Sequence, residues 1–188
     1  MVVYLKNINL VIKLLYIFYI IIMNLFISLL RAAPALVFSI SLILFIITRI
    51  DIYLLLSIVI TVGETINTVL KHYVFKPIMK NKYWPILGYG TRPKNSKNSA
   101  QFGNINTPPY KGSYGMPSGH AQQVVSEATY IIVAFQNPYS SILSIIVAAL
   151  TIYQRYIYQK HTAIQLAVGT IVGVFTGGTF YSFISNKL

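Results

Sequence analysis

Apolar residues run along this chain in long blocks, interrupted at only a few places by charged or turn-forming residues. A helix that crosses a bilayer needs about 20 predominantly apolar residues with few charges. Six stretches read that way: 9–30, 32–49, 52–70, 120–136, 139–156 and 161–183. The second, fourth and fifth are short. The pattern predicts an all-α, polytopic membrane protein, a bundle of six transmembrane helices. The first stretch has a rival reading as a signal peptide, because "RAAPA" at 31–35 offers small residues for cleavage. Its apolar run is longer than a usual signal core, so it is read as a retained span. The last stretch carries Gly169, Gly173, Gly177 and Gly178. Small residues at helical spacing let helices approach closely in lipid, and packing is their expected role.

Between the third and fourth runs the chain changes character. The segment "NKYWPILGYGTRPKNSKNSAQFGNINTPPYKGSYGMP", 81–117, is rich in Gly, Pro, Asn and Ser and reads as irregular loop. Its length exceeds a mere connection, so it is expected to be functional or partly disordered. Trp84 and the tyrosines suit a membrane interface. Six crossings would put 71–119 and the short turn 157–160 on one side of the membrane, opposite both termini. Two distant pieces of sequence can thus build one site.

Composition sharpens this picture. The chain is 55% hydrophobic and 10% charged, as a protein dissolved in a bilayer should be. It has no cysteine, which excludes disulfides and cysteine-based metal or redox chemistry. Fifteen Lys and Arg stand against three acids, Asp51, Glu64 and Glu127, for a formal charge of +12. Such a surplus serves nucleic acid, anionic headgroups or phosphorylated substrates. The basic residues lie between apolar runs and form no continuous soluble face, which argues against nucleic acid. Four of them (Lys6, Lys13, Arg49, Lys187) fall with the termini and eleven with the other face. The positive-inside rule would make that face cytoplasmic, but charges recruited to bind phosphate carry no topological information.

Ionisable groups within spans are costly and usually line a site or pair in the bundle interior. Glu64, Asn67 and Lys71 share one helical face by their spacing, as do His120, Gln123 and Glu127; His161 and Gln165 repeat the pattern, with Arg155 shortly before them. All three stripes lead to the end where the long loop emerges, so a polar pocket is expected there. Blander readings stand beside this one. Glu64 or Glu127 could simply bond a neighbouring helix, and Lys76, Lys80, Lys82, Lys94, Lys97 and Lys111 are read as solvated or headgroup-contacting charges. The Pro117-Ser118-Gly119 turn lets the chain expose its amides just before a helix begins, which together with nearby cations makes an anion site, and phosphate is the natural guest. One neutral histidine could attack phosphorus while a protonated one serves the leaving oxygen, chemistry that needs no metal and no cofactor.

These residues resemble the type 2 phosphatidic acid phosphatase and haloperoxidase superfamily. Its pattern is Lys, six residues, Arg-Pro; then Pro-Ser-Gly-His; then Ser-Arg, five residues, His, three residues, Asp. The second part stands intact as Pro117, Ser118, Gly119 and His120, and Arg155 precedes His161 at the family spacing. Three departures occur. Gln154 replaces the Ser before the arginine. Pro85 stands where the lysine before Arg92 and Pro93 should be, so Lys71 is assigned that role after an insertion, with Lys76 as the alternative. Gln165 replaces the Asp that orients the nucleophilic histidine, a feature that "YGMPSGHAQ" and "HTAIQLAVG" share with the dolichyl diphosphate phosphatase branch.

The resemblance implies that His161 attacks phosphorus, that His120 protonates the leaving group and then activates water, and that Gln165 orients His161. Lys71, Arg92, Ser118, Gly119 and Arg155 would hold the phosphate. It implies N-terminal spans over 1–50, a phosphatase core over 51–188 with motif loops at 71–120 and 155–161, and an endomembrane location. The expected substrate is a polyprenyl or dolichyl diphosphate, with no metal, cofactor or nucleic acid. Two rivals remain: a broader lipid phosphate phosphatase that includes phosphatidate, and a noncatalytic relative that binds lipid or protein. A channel would explain the hydropathy but not the motif spacing.

Overall fold

The computed structural model describes residues 2–79, 83–84, 88–90, 92–93 and 114–185, the side chains of 2–11, 83–84, 88–89 and 184–185 excepted. Pro85 and the basic residues Lys80, Lys82, Lys94, Lys97, Lys111 and Lys187 lie outside them. Five long helices carry the fold: α1 (Val2–Thr48), α2 (Asp51–Val69), α4 (Gly119–Phe135), α5 (Pro138–Ile157) and α6 (Ala163–Ser185). A π-helical turn (Leu70–Phe75) extends α2 into the short α3 (Lys76–Met79), and β1 (Tyr83–Trp84) pairs antiparallel with β2 (Gly88–Tyr89). Four helical stretches are long and apolar enough to cross a membrane: Ile12–Thr48, Asp51–Met79, Pro138–Ile157 and Ala163–Phe183. The all-α membrane architecture is therefore present, as expected from the hydropathy.

The expected count of six is not. The two N-terminal runs, 9–30 and 32–49, form one continuous helix with Pro34 inside it. Proline deletes the amide that would bond the carbonyl four residues back and normally breaks a helix. Here the carbonyl so affected is that of Leu30, and Thr151 Oγ1 of α5 donates to it at 3.5 Å. One turn away Gln154 Nε2 reaches Ile27 O, also at 3.5 Å. Neighbouring helices rescue backbone groups freed by proline in this way, and Ala32, Ala33 and Ala35 around it favour the helix. Gln154, a departure from the family pattern, thus docks α5 on α1.

α4 occupies the centre. Its buried residues Ala121, Gln122, Val124, Ser126, Glu127, Ala128 and Tyr130 face neighbours on several sides. Against it lies the glycine ridge of α6: a Cβ on Gly169 would stand 2.6 Å from Ser118 O, one on Gly173 2.5 Å from Gln122 O, and one on Gly177 would collide with Ser126 O. The packing role expected of these three glycines follows, since no larger residue permits that approach. Gly178 is different, because a Cβ there would meet only Thr129 Cγ2 at 3.9 Å. Polar ties fix the other pairs. Ser41 and Ser57 share a hydrogen bond of 2.6 Å between α1 and α2, and Gln122 Nε2 donates to Gly63 O at 2.8 Å between α4 and α2. Leu56, Val59, Ile60 and Tyr130 form one apolar core and Ala33, Val124, Ala128 and Ala148 a second.

The turns sort to two ends. The turn at 136–137 is closed by Asn137, whose Oδ1 accepts from Tyr139 N and Ser140 N to cap α5 behind Pro138. At that same end Tyr53 meets Phe135, ring centroids 5.6 Å apart. At the opposite end lie the end of α2, the start of α4 and the turn 158–162, joined by a bond from Ser118 N to Gln165 O at 3.1 Å.

Candidate active site

The site is built where these three chain segments converge. Ser118 caps α4, its Oγ accepting from Ala121 N at 3.4 Å, and it is wholly buried. That cap leaves the first amides of α4 and the imidazole of His120 at the helix N-terminus, where the macrodipole favours an anion. The His120 ring is hydrogen-bonded to the main chain of Arg31 in α1, and Arg155, His161 and Arg92 lie within electrostatic reach of it.

His161 is only 4% exposed. Its Nδ1 lies 3.1 Å from Gly115 O and 3.1 Å from Gln165 Oε1. A main-chain oxygen can only accept, so Nδ1 carries the proton and Nε2 keeps its lone pair. Burial, followed by the charge of Arg92, holds this imidazole well below the usual histidine range, at about 3; Arg155 and Lys71 add to the effect and the bond to Gln165 opposes it. The ring is neutral at physiological pH. Neutral, oriented and surrounded by cations, it has the properties of a nucleophile toward an anion.

Gln165 is held as firmly as the histidine it touches. Thr162 N donates to its Oε1 at 3.3 Å while its own amide donates to Thr162 Oγ1 at 3.3 Å. This is a reciprocal capping box at the start of α6. The "TAIQ" spacing at 162–165 signals it, and Thr162 was not singled out from sequence. Gly115 was also missed: a Cβ there would stand 2.6 Å from Gln165 Oε1, so a side chain would displace the group that orients His161. Gly115 is in turn fixed by its N–H to Gly90 O at 2.7 Å, and Tyr114 by its O–H to Phe75 O at 2.6 Å. Burial pushes that phenol up to about 12, so it remains a donor.

The cations gather around the two histidines. Arg155, in the last turn of α5, is 6% exposed, and its carbonyl accepts from Lys160 N at 3.0 Å. Arg92 acts on both histidines and on Lys71 and Lys160. Lys71 is half-buried in the π-helical turn and its charge is felt at His161, whereas Lys76 is exposed on α3. The structure therefore brings His161, His120, Gln165, Lys71, Arg92, Ser118, Gly119 and Arg155 to one end of the bundle. It adds Arg31 and Lys160. Lys160 was overlooked beside its histidine, and Arg31 because its tract was read for small residues; a lone charge between apolar runs was the available signal.

Two expected stripes are corrected. Gln123 bonds Glu64 and closes a polar seam between α4 and α2, while the inward partner of Asn67 is Gln122, with Nδ2 to Oε1 at 2.8 Å. Glu127 does not join the site. It is buried beside Val37, Ser140 and Ser144, about two turns below His120, and its Oε1 has no hydrogen-bond partner. Helical spacing put it on the His120 face, but two full turns carry it too far along the axis. Among the described residues no three His, Cys, Asp or Glu side chains come together.

The sequence model of the PAP2 superfamily matches residues 52–188. The chain belongs to the PAP2 superfamily. Members of this superfamily are phosphatases and hydrolases, and membership with four long apolar helices makes this a multi-pass membrane protein with the family signature of phosphatase activity on lipid-like phosphates. No characterised protein and no solved structure matches the chain. The PAP2 match begins at the start of α2, so α1, which supplies Arg31 to the site, lies before it.

Proposed function

We propose that this PAP2 protein hydrolyses a lipid diphosphate, a polyprenyl diphosphate before phosphatidate, through a phosphohistidine on His161 and without a metal. The observation that carries the reading is the placement of His161: Nδ1 is tied to Gly115 O and Gln165 Oε1, which leaves the Nε2 lone pair for phosphorus. In the first step Nε2 bonds to phosphorus as the bond to the lipid oxygen breaks, and His120 gives that oxygen its proton. Burial and the nearby cations hold His120 at about 3 until the bound phosphate offsets their charge and lets it take up that proton. In the second, water attacks the phosphohistidine, His120 takes the water proton, and inorganic phosphate leaves with His161 restored. Lys71, Arg92, Arg155 and the Gly119 amide offset the charge on the phosphoryl oxygens, while the Ser118 amide, expected to join them, is taken by Gln165 O. A groove of about 410 Å³ between α1 and α2, lined by Pro34, Ala35, Phe38, Ile60, Thr61, Glu64, Thr65 and Gln123, is the proposed seat of the first part of the lipid tail.

The test is phosphate release from a polyprenyl diphosphate and from phosphatidate by detergent-purified protein in EDTA. Wild type is expected to act on the diphosphate faster, and His161→Ala to lose at least 1,000-fold, on the order seen when a nucleophile is removed. A faster rate on phosphatidate would move the substrate assignment. Release abolished by EDTA, or persisting in His161→Ala, would reject the mechanism, and folded wild type inert on both lipids would favour a noncatalytic lipid-binding role.

A further inference from the structure

The site holds more positive charge than one phosphate requires, and the charge is not evenly spread. His161 lies in the field of Arg92, Arg155 and Lys71, while Lys160 lies in that of Arg155, Arg92 and Arg31. Arg92 and Arg155 are thus common to both neighbourhoods, with Lys71 at one end and Arg31 and Lys160 at the other. The α1–α5 seam bears on this second end. Thr151 holds Leu30 and Gln154 holds Ile27, so the two helices run antiparallel and Arg31 sits about one turn deeper along the seam than Arg155, where its charge still acts on Lys160. The Arg31 main chain rests on His120, so the group is continuous with the reacting centre.

Lys160 is 5% exposed among three guanidinium groups. Burying an ammonium there is costly without a counter-charge. The chain has three acidic side chains in all, and none is placed to supply it. Asp51 begins α2 at the far end of the bundle, Glu127 lies two turns below His120, and Glu64 acts on Lys71 and pairs with Gln123. A phosphate monoester carries about two negative charges. A second phosphate joined to the first would bring its oxygens to the Arg31 end while the first stays over His161.

We propose that Arg31 and Lys160 form a second phosphate subsite that selects a diphosphate ester over a monophosphate ester, by holding the phosphate attached to the lipid while His161 takes the terminal one. In the reaction the His161 Nε2–phosphorus bond forms and the bond from the terminal phosphorus to the bridging oxygen breaks. The electron pair stays on that oxygen, which becomes part of a lipid monophosphate, and Arg31 and Lys160 offset its charge as His120 delivers the proton. The assignment of the subsite as part of a reaction rests on the phosphatase reading above; its existence as a binding site does not.

The experiment compares kcat/KM for farnesyl diphosphate and farnesyl monophosphate in wild type, Arg31→Gln, Lys160→Gln and the charge-keeping Arg31→Lys and Lys160→Arg. Each neutral variant is expected to lower the diphosphate-to-monophosphate ratio about ten-fold, as loss of a charge-assisted hydrogen bond does, and each charge-keeping variant to retain most of it. In parallel, thermal shifts with inorganic pyrophosphate and inorganic phosphate in EDTA read binding without turnover. Pyrophosphate should stabilise wild type more than phosphate does, and the neutral variants should lose that difference. A ratio unchanged in both neutral variants, or both esters weakened equally, overturns the subsite, as does wild type that binds pyrophosphate no better than phosphate. If wild type hydrolyses neither ester but prefers pyrophosphate through Arg31 and Lys160, the subsite stands and the phosphatase reading falls.

Discussion

A glutamine stands where a carboxylate would have been the simpler choice for orienting His161, and the consequences are local. The Gln165 carbonyl fixes the Nδ1 tautomer, but it supplies little of the charge that would steady an imidazolium. It also serves the helix, since the same oxygen accepts the Thr162 amide at 3.3 Å. Gln165→Ala is expected to lower kcat about 10- to 100-fold with KM little changed, because the ring loses orientation while the phosphate-holding cations remain. Gln165→Glu should restore the orientation and move the acid limb of the pH–rate profile upward. The sign follows from the cause: burial and Arg92 hold His161 at about 3, and a carboxylate next to Nδ1 favours the protonated ring. An acid limb that stays in place in Gln165→Glu would show that residue 165 does not act on His161. At this scale the sequence was informative wherever spacing carried the chemistry, as with His120, Arg155 and His161. It was uninformative for Gly115, whose part is played by a main-chain oxygen that any residue possesses.

Helix contacts decide how well those residues are held. The α6 ridge of Gly169, Gly173 and Gly177 lets the α4 backbone approach until its carbonyls occupy the space a Cβ would need. Gly173→Ala must push α4 and α6 apart, and overpacking of this kind costs about 1–3 kcal/mol. Gly178→Ala has ordinary van der Waals room and is expected to stay within about 0.5 kcal/mol of wild type. Thermal unfolding in detergent separates the two; equal destabilisation would remove the ridge as the basis of the α4–α6 contact. Spacing alone made these glycines packing residues, but it could not tell Gly178 from the other three. That distinction depends on which way the helix is turned. The single helix α1 has the same character: two runs divided at Arg31 become one helix, and Thr151, more than a hundred residues away in sequence, reaches the Leu30 carbonyl that Pro34 leaves without its amide.

Over the whole molecule, the antiparallel course of α4 and α5 puts the end of α2, the start of α4 and the turn before α6 at one end of the bundle. This outcome does not depend on how many times α1 crosses. At about 1.5 Å per residue its 47 residues reach about 70 Å, more than twice the hydrocarbon thickness. Ile12, Leu15, Phe18 and Ile21 along its first half are exposed and of the kind that faces lipid. The absence of native cysteine makes the topology directly measurable. Gln136→Cys and Gln159→Cys, both at exposed turn positions, should react with an impermeant maleimide from opposite sides of sealed membranes. Labelling of both from one side would contradict the bundle.

What the sequence determined by itself was the solvent, the helical class and the motif. Hydropathy is a sum over consecutive residues, and Pro117 to His120 and Arg155 to His161 are short enough to be read as strings. What only the tertiary structure decided was which cations share the site, which glutamine of α4 meets Asn67, and that Glu127 stands apart. Those are matters of rotation and depth along packed helices. A helix repeats its faces every few residues, so several candidates satisfy the spacing equally, and only the neighbouring helix selects among them.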